Sequence, residues 1–160
     1  MDDAIHPQLD RVDLRILDLV QREGALSVAE VASRTGLSTT TCWRRIQHLE
    51  QAGVIRGRVA LLDRTALGLD VTIFAHVKLS TQGRDAISAF AEAIRERPEV
   101  LDCYTTMGEW DFMLRVVTRD IKAYEAFYLD HLSKLPYVQS INSSVTVTVI
   151  KETTVLPIVA

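Results

Sequence analysis

The side chains best suited to contact another molecule lie in residues 36–53 (GLSTTTCWRRIQHLEQAG). This stretch combines hydroxyl, guanidinium and imidazole groups, which can donate to phosphates and to base edges in a DNA groove. We therefore predict contacts to double-stranded DNA from this stretch and from two arginines just after it. The predicted contact residues are Ser38, Thr39, Thr40, Thr41, Arg44, Arg45, His48, Arg56 and Arg58.

The same stretch carries the signals of a helix with both ends marked. Ser38 suits an N-cap, because its hydroxyl can accept from the unpaired N–H groups of a first turn. Gly53 suits the left-handed position that often follows a helix. Cys42, Ile46 and Leu49 follow at i, i+4 and i+7, which predicts a narrow buried stripe. The polar groups would then lie on the opposite, exposed side of this recognition helix.

Two further helices are predicted before the recognition helix. The apolar spacing within residues 9–23 (LDRVDLRILDLVQRE) predicts the first. Ser27 and Glu30 have the spacing of a capping box that starts a second helix over residues 28–35. Gly36 then allows a tight turn, since glycine takes positive φ at no steric cost. A helix, a short helix, a glycine turn and a capped helix together indicate a helix-turn-helix.

The distribution of charge supports DNA binding. The whole chain has a net charge of −3, which argues against a general polyanion binder. Residues 33–60 hold five arginines against one acid, whereas residues 1–32 hold three arginines against seven acids. Positive charge is thus concentrated at the proposed contact surface. The helix pattern without the charge pattern would also fit a generic three-helix bundle. After the recognition helix, residues 54–62 (VIRGRVALL) predict a strand.

Composition indicates a soluble cytoplasmic protein with one domain or two small ones. The 160 residues are 48% apolar, enough for a buried core. Cys42 and Cys103 are isolated at apolar-periodic positions, so we expect buried thiols in a reducing compartment and no structural metal. The opening residues MDDAIHPQLD lack the apolar run of a signal peptide. No stretch approaches the ~18 apolar residues of a membrane span, so no membrane association is expected.

The second half of the chain has a different periodicity. We predict a DNA-binding domain over residues 1–62, a connector over 63–70 and a second domain over 71–160. Alternating and helical patterns in the second domain predict, in order, a strand at 71–79, a helix at 84–96, strands at 100–107 and 111–117, a helix at 120–135 and a strand at 138–150. This βαββαβ order is the ferredoxin-like arrangement, and it makes the whole protein α+β.

A ferredoxin-like sheet carries both helices on one face, because its crossovers are right-handed. The other face is then uncovered, and the alternation places Phe74 there. A partly apolar open face needs a further layer, and the simplest one is a second copy of the chain. We therefore expect a homodimer through this half. Such a dimer would also present two recognition helices to a pseudo-palindromic site.

Four segments resemble the Lrp/AsnC (feast/famine) transcriptional regulators over nearly the whole chain. They are 9–17 (LDRVDLRIL), 37–55 (LSTTTCWRRIQHLEQAGVI), 107–116 (MGEWDFMLRV) and 150–158 (IKETTVLPI). The Thr-Thr-Cys-Trp-Arg-Arg segment is also similar to a sub-group around cysteine-responsive detoxification regulators, which usually has proline where this chain has Thr41. The resemblance implies an amino-acid-sensing second domain without a prosthetic cofactor, and dimers that assemble further, often into octamers.

The resemblance also implies that a small amino acid binds between dimers, near the turn at 107–111 and the last strand. An amino-acid zwitterion needs acceptors for its ammonium and donors for its carboxylate. Asp111 and the backbone N–H groups around Gly108 can supply them, although an ordinary turn-capping role is the alternative for Asp111. Cysteine, a branched-chain or another apolar amino acid would fit this expectation. The predicted effector residues are Met107, Gly108, Glu109, Asp111, Ser143 and Ser144.

The alternative function is a tetrapyrrole (sirohaem-type) decarboxylase, since some proteins of the same two-part architecture resemble such enzymes. That activity would need histidines and arginines that converge on one pocket. His6, His48, His76 and His131 are scattered, and the arginines concentrate near the recognition helix. We therefore expect no catalytic residues. Trp43 lies one position off the apolar stripe, where it can touch DNA or pack against a neighbouring strand or subunit.

Overall fold

The computed structural model describes residues 7–158, so His6 lies outside the described residues. The described chain divides into two compact units, one of residues 7–61 with 151–158 and one of residues 62–150. The sequence predicts a single domain over 71–160, whereas residues 151–158 belong to the first unit. The side chain of Gln21 explains this difference, because it donates to the carbonyl of Leu156 (3.1 Å) and accepts from its N–H (2.9 Å).

Three helices form most of the first unit: α1 (Arg11–Arg22), α2 (Val28–Thr35) and α3 (Thr39–Gln51). The predicted caps are confirmed. Ser27 and Glu30 form a reciprocal capping box at α2, and the Ser38 hydroxyl accepts from the Thr41 N–H at α3. Gly36 and Gly53 both take positive φ (74° and 71°), as the turn and the helix end require. Local capping chemistry therefore sets the bounds of these helices.

The buried stripe of α3 is confirmed as part of the first unit's core. Cys42, Ile46 and Leu49 are at most 2% exposed and pack with Ile16 of α1 and Val31 of α2. Burial of such side chains stabilises a fold by ~1.5–3 kcal/mol each. This core holds α3 with its polar side outward.

The predicted strand over residues 54–62 is not formed. Val54 and Ile55 pack against the core of the first unit, but Val59 is 83% exposed. Among the described residues, no segment hydrogen-bonds to 54–62 as a neighbouring strand. The alternating apolar residues predicted the strand, but a strand also needs a partner, which the chain does not supply here.

The second unit has the predicted βαββαβ order. Its elements are β1 (Val71–Leu79), α4 (Arg84–Arg95), β2 (Val100–Thr105), β3 (Phe112–Thr118), α5 (Ile121–Asp130), a short 3-10 helix (Leu132–Lys134) and β4 (Val138–Val145). The sheet is antiparallel with strand order β2-β3-β1-β4, which is the ferredoxin-like topology. Three elements are shorter than predicted by two residues or more, since β2 ends at Thr105, β4 ends at Val145 and the last helix is interrupted at His131.

One face of this sheet carries both helices, as predicted. Alternate residues of β1 and β3 point into the core, where Phe90 of α4 stacks on Phe112 with ring centroids 4.3 Å apart. The other side, here called the open face, is covered by no element of the second unit. The strand register places on it Phe74, His76, Lys78, Asp102, Tyr104, Met113, Arg115, Ser140, Asn142 and Ser144.

The prediction of two buried thiols is half confirmed. Cys42 is fully buried, whereas Cys103 is exposed. Cys103 lies on β2, which is an edge strand with a neighbour on one side only. Periodicity identifies the face of a strand but not its place in the sheet, so it could not distinguish the two cysteines.

Within residues 7–158, no helix is both long and apolar enough to cross a membrane. The same residues contain no group of three or more histidine, cysteine or acidic side chains placed to hold a metal ion.

The stacked pair in the second core leads to a stability prediction. Phe90→Ala should lower the free energy of unfolding of the second unit by ~3–5 kcal/mol, because it leaves a cavity beneath Phe112. Leu129→Ala on the exposed side of α5 is the control and should change it by less than ~1 kcal/mol. Urea titration followed by Trp110 fluorescence in a Trp43→Phe background measures both. Equal costs for the two variants would contradict this core assignment.

Candidate DNA interface and ligand cavity

The exposed side of α3 forms a continuous polar surface opposite the buried stripe. Its residues recur at helical spacing over three turns and are exposed or half-buried. We call this surface the recognition face, and it comprises Thr40, Trp43, Arg44, Gln47, His48 and Gln51. Trp43 is 54% exposed and so does not pack into the first unit's core.

Three of these residues, Trp43, Gln47 and Gln51, were not among the predicted DNA contacts. The signal that finds them is the i, i+3, i+4, i+7 spacing from Thr40, which marks one side of a helix. Gln47 donates to the carboxylate of Glu50 at 2.8 Å, which leaves its amide carbonyl as an acceptor. The surface thus presents donors and acceptors together.

The predicted contact residues at the start of α3 divide into two groups. Ser38 donates its hydroxyl to the Thr41 oxygen (2.8 Å) and accepts from the Thr41 N–H (3.2 Å), so these two residues order the first turn. Thr39 and Thr40 are exposed. Ser38 is exposed as well and Thr41 is half-buried, so both groups reach the surface, but the first is also engaged in the cap of α3.

Arg44 and Arg45 are adjacent in sequence but lie in different surroundings. Arg44 is exposed, and no ion pair to it is present among residues 7–158. Arg45 is half-buried, and its Nη1 lies 2.8 Å from Asp10 Oδ2 and 2.7 Å from Asp13 Oδ1. Hydrogen bonds to Asp13 and Asp10 raise the pKa of Arg45, so it stays charged. The 100° turn per residue of a helix separates the two arginines.

Arg56 and Arg58 are both exposed, as a contact to phosphates requires. They lie in the segment that forms no strand, and they border a groove of about 540 Å³ in the first unit. The groove is otherwise lined mainly by apolar side chains of α1, of residues 54–59 and of residues 154–158. His48 is exposed at the end of the recognition face away from Thr40.

The predicted effector turn lies beside a cavity in the second unit. Gly108 takes φ 132°, a backbone conformation that favours glycine, and Thr106 closes the turn by donating to the Trp110 carbonyl at 2.6 Å. The cavity has a volume of about 340 Å³, near the lower end of the ~300–1,000 Å³ of small-molecule sites. Its lining residues are Gln82, Ile87, Thr105, Thr106, Met107, Gly108 and Asp111.

Asp111 fastens this turn to the rest of the sheet. It is 9% exposed, and its Oδ2 accepts from the Leu79 N–H (2.8 Å) while its Oδ1 accepts from the Gln82 amide (2.8 Å). Lys78 Nζ lies 3.6 Å from the same Oδ1. A carboxylate has about four acceptor positions, so Asp111 combines this structural role with remaining capacity for a ligand.

The structure brings together only part of the predicted effector set. Met107, Gly108 and Asp111 line the cavity, whereas Glu109, Ser143 and Ser144 do not. Ser143 is hydrogen-bonded to the Tyr124 hydroxyl at 2.5 Å, on the helix-covered side of the sheet. Ser144 pairs with Phe74 in the strand register and belongs to the open face. Gln82, Ile87, Thr105 and Thr106 are additional lining residues that the sequence did not single out.

Comparison with known protein families assigns both units. Residues 9–56 match the model described as winged helix-turn-helix DNA-binding, and residues 72–156 match the Lrp/AsnC ligand-binding domain. Because the second match alone covers more than half of the 160 residues, the chain belongs to the Lrp/AsnC family. The protein is a DNA-binding transcriptional regulator with a ligand-binding domain.

Individual relatives agree with this assignment. The chain is 37% identical to the DNA-binding transcriptional activator DecR of Escherichia coli K12 over 150 residues, 94% of this chain and 99% of the relative. A crystal structure of an AsnC family regulator from Agrobacterium tumefaciens has 42% identity and a TM-score of 0.89, covering 93% of this chain and 97% of that one. A Neisseria meningitidis regulator crystallised with L-methionine has 37% identity and a TM-score of 0.89, covering 94% and 97%.

The decarboxylase alternative receives no support from these relatives, which are transcriptional regulators. The described histidines belong to three different elements or segments of the chain. His48 is on α3, His76 contacts Trp110 at a ring distance of 6.1 Å, and His131 contacts Phe127 at 5.8 Å.

Proposed function

We propose that this protein recognises its DNA sites through the recognition face of α3 in a dimer, and that an amino acid in the second unit's cavity alters this binding. The observation that supports the DNA part most directly is Arg44. Its guanidinium is exposed and makes no ion pair among residues 7–158, while the neighbouring Arg45 is neutralised by Asp10 and Asp13.

The recognition face suits a major groove. Arginine reads guanine through paired bonds to O6 and N7, and glutamine similarly reads adenine through N6 and N7. Arg44 and Gln47 can serve these roles, with Thr40 and His48 on either side. Thr39, Arg56 and Arg58 supply donors to phosphates, which position the protein without reading sequence. Ser38 and Thr41 contribute by ordering the start of α3.

Arg44→Ala should weaken binding to a duplex selected by the wild-type protein from a random-sequence pool. The expected loss is ~1–3 kcal/mol if Arg44 makes a bidentate base contact. Arg119→Ala removes an exposed arginine of the second unit and is the matched control, with unchanged affinity expected. Fluorescence anisotropy at several salt concentrations measures both variants. Unchanged affinity and salt slope for Arg44→Ala would show that the recognition face is wrongly assigned.

The cavity fits a small amino acid as effector. Backbone N–H groups in the turn around Gly108 are donors for a carboxylate, and Asp111, Thr105 and Thr106 offer acceptors for an ammonium. Ile87 provides an apolar wall for a side chain. The L-methionine bound by the Neisseria relative supports this class of ligand. Cysteine, branched-chain and other apolar amino acids are the candidates for this chain.

A screen of the twenty amino acids by thermal shift should find a ligand, because binding to the folded form alone raises the melting temperature. Ile87→Trp should abolish the shift by filling the cavity. Ile121→Trp places the same bulk on a half-exposed position of α5 and should retain it. The cavity assignment fails if no amino acid produces a shift, or if Ile87→Trp responds as the wild type does.

We further propose a homodimer through the open face. Phe74, Tyr104 and Met113 give this face an apolar surface, and Arg115 is already paired with Asp102 across β2 and β3. Two copies of the open face would cover each other as sheets of a sandwich do. Further assembly of dimers, up to the octamer that the family resemblance implies, would build on this pair.

Sedimentation velocity at micromolar concentration should show a dimer or a larger assembly. Phe74→Glu should shift the protein towards monomer, since it buries a charge in the proposed interface. Leu129→Glu on exposed α5 is the matched control and should not change the assembly. A monomeric wild-type protein would refute the dimer, and an unchanged assembly of Phe74→Glu would place the interface elsewhere.

A further inference from the structure

The N-terminal cap of α1 is joined to the middle of α3 by charge. Asp10 Oδ1 accepts from the Asp13 N–H at 2.8 Å, and Asp13 Oδ2 accepts from the Asp10 N–H at 3.2 Å. This reciprocal capping box uses one oxygen of each carboxylate. The two remaining oxygens both accept from Nη1 of Arg45. We call this arrangement of Asp10, Asp13 and Arg45 the cap clamp.

The cap clamp is partly shielded from solvent. The side chain of Asp13 is 15% exposed and that of Arg45 is 32% exposed, whereas that of Asp10 is 52% exposed. Hydrogen bonds from the Asp13 N–H and from Arg45 lower the pKa of Asp10, so this carboxylate stays ionised near neutral pH. Charge-assisted bonds of this kind are directional, so they add an angular constraint to the one that the apolar packing between α1 and α3 already gives.

We propose that Arg45 is a positioning residue for DNA recognition: by holding the cap clamp it sets the final rotation of α3 about its own axis, within the range that the buried stripe permits. This inference rests on the proposed role of the recognition face. Arg44 precedes Arg45 by one residue, which is a turn of 100° around the helix. A rotation of α3 that released Arg45 would therefore also turn Arg44 away from the base edges it faces.

The net charge of the cap clamp allows its effect on orientation to be separated from its effect on DNA attraction. The clamp contains two carboxylates and one guanidinium, so it contributes no net attraction for phosphates. Removal of one carboxylate makes the first unit more positive, which by general electrostatics strengthens binding to any duplex. If the clamp positions α3, the same removal weakens binding to the preferred sequence. The ratio of specific to non-specific affinity therefore distinguishes orientation from charge.

Asp13→Asn in the full-length protein is the central variant. Affinity for a scrambled duplex should stay equal or increase, whereas affinity for the selected duplex should fall, so that the specificity ratio falls about tenfold. Asp18→Asn is the matched control, because it removes the same charge from the same helix, where the carboxylate pairs with Arg22. It should leave the ratio unchanged. Measurements are made well below the melting temperature of each variant.

Arg45 variants complete the test. Arg45→Met should lower the ratio as much as Asp13→Asn does, and the double variant should lower it no further, because both changes open the same clamp. Arg45→Lys should restore part of the ratio. The salt slope should stay unchanged in Arg45→Met, whereas loss of a phosphate contact would reduce it by about one.

Two results would overturn the proposal. Asp13→Asn could tighten binding to both duplexes equally, as expected for a carboxylate that only repels DNA. Alternatively, Arg45→Met could reduce the salt slope while Asp13→Asn leaves the ratio intact, as expected if Arg45 itself binds phosphate. A wild-type protein without preference for any duplex would instead contradict the proposed function, so the two failures are distinguishable.

Discussion

Burial of Cys42, Ile46 and Leu49 against α1 and α2 decides which side of α3 is available to a partner. The side chains of a helix are fixed around its axis, so burial of one side in the core also determines which side chains face the solvent. The recognition face is the geometric complement of this stripe. The charge of the recognition face then depends on which side chains are neutralised within the first unit. Because Arg45 is held in the cap clamp, Arg44 is the arginine that the recognition face exposes. The same residues thus determine both the packing of α3 and its exposed chemistry.

A related constraint organises the second unit. Strict alternation in β1 places every second residue under α4 and α5 and the others on the open face. At the end of β1, Asp111 accepts hydrogen bonds from the Leu79 N–H and the Gln82 amide. The cavity lies beside this contact. A ligand in the cavity would therefore contact the residues that fasten the β2–β3 turn to the end of β1. If an amino acid binds there as proposed, its binding would depend on the order of this turn.

The features that the sequence predicts well are those with local causes. The bounds of β1 follow from alternation alone, and those of α2 from its Ser27–Glu30 capping box and Gly36. The features that it misses depend on residues far apart in the chain. In the sequence, Arg45 has the same predicted role as Arg44, and only the folded structure shows its bond to Asp13, which is 32 residues away. Asp111 resembles a turn residue until Leu79 and Gln82 are placed beside it. The partner that residues 54–62 would need as a strand has no local signature either.

The contact between Gln21 and Leu156 spans 135 residues. It makes the second unit an insertion within the first, joined to it by two crossings of the chain near residues 61 and 151. On the ribosome, α1, α2 and α3 are synthesised long before the segment that Gln21 binds. The second unit has its complete sequence before the first does. The DNA-binding unit therefore reaches its final form only after residues 151–158 have been synthesised, when the second unit has already had time to fold.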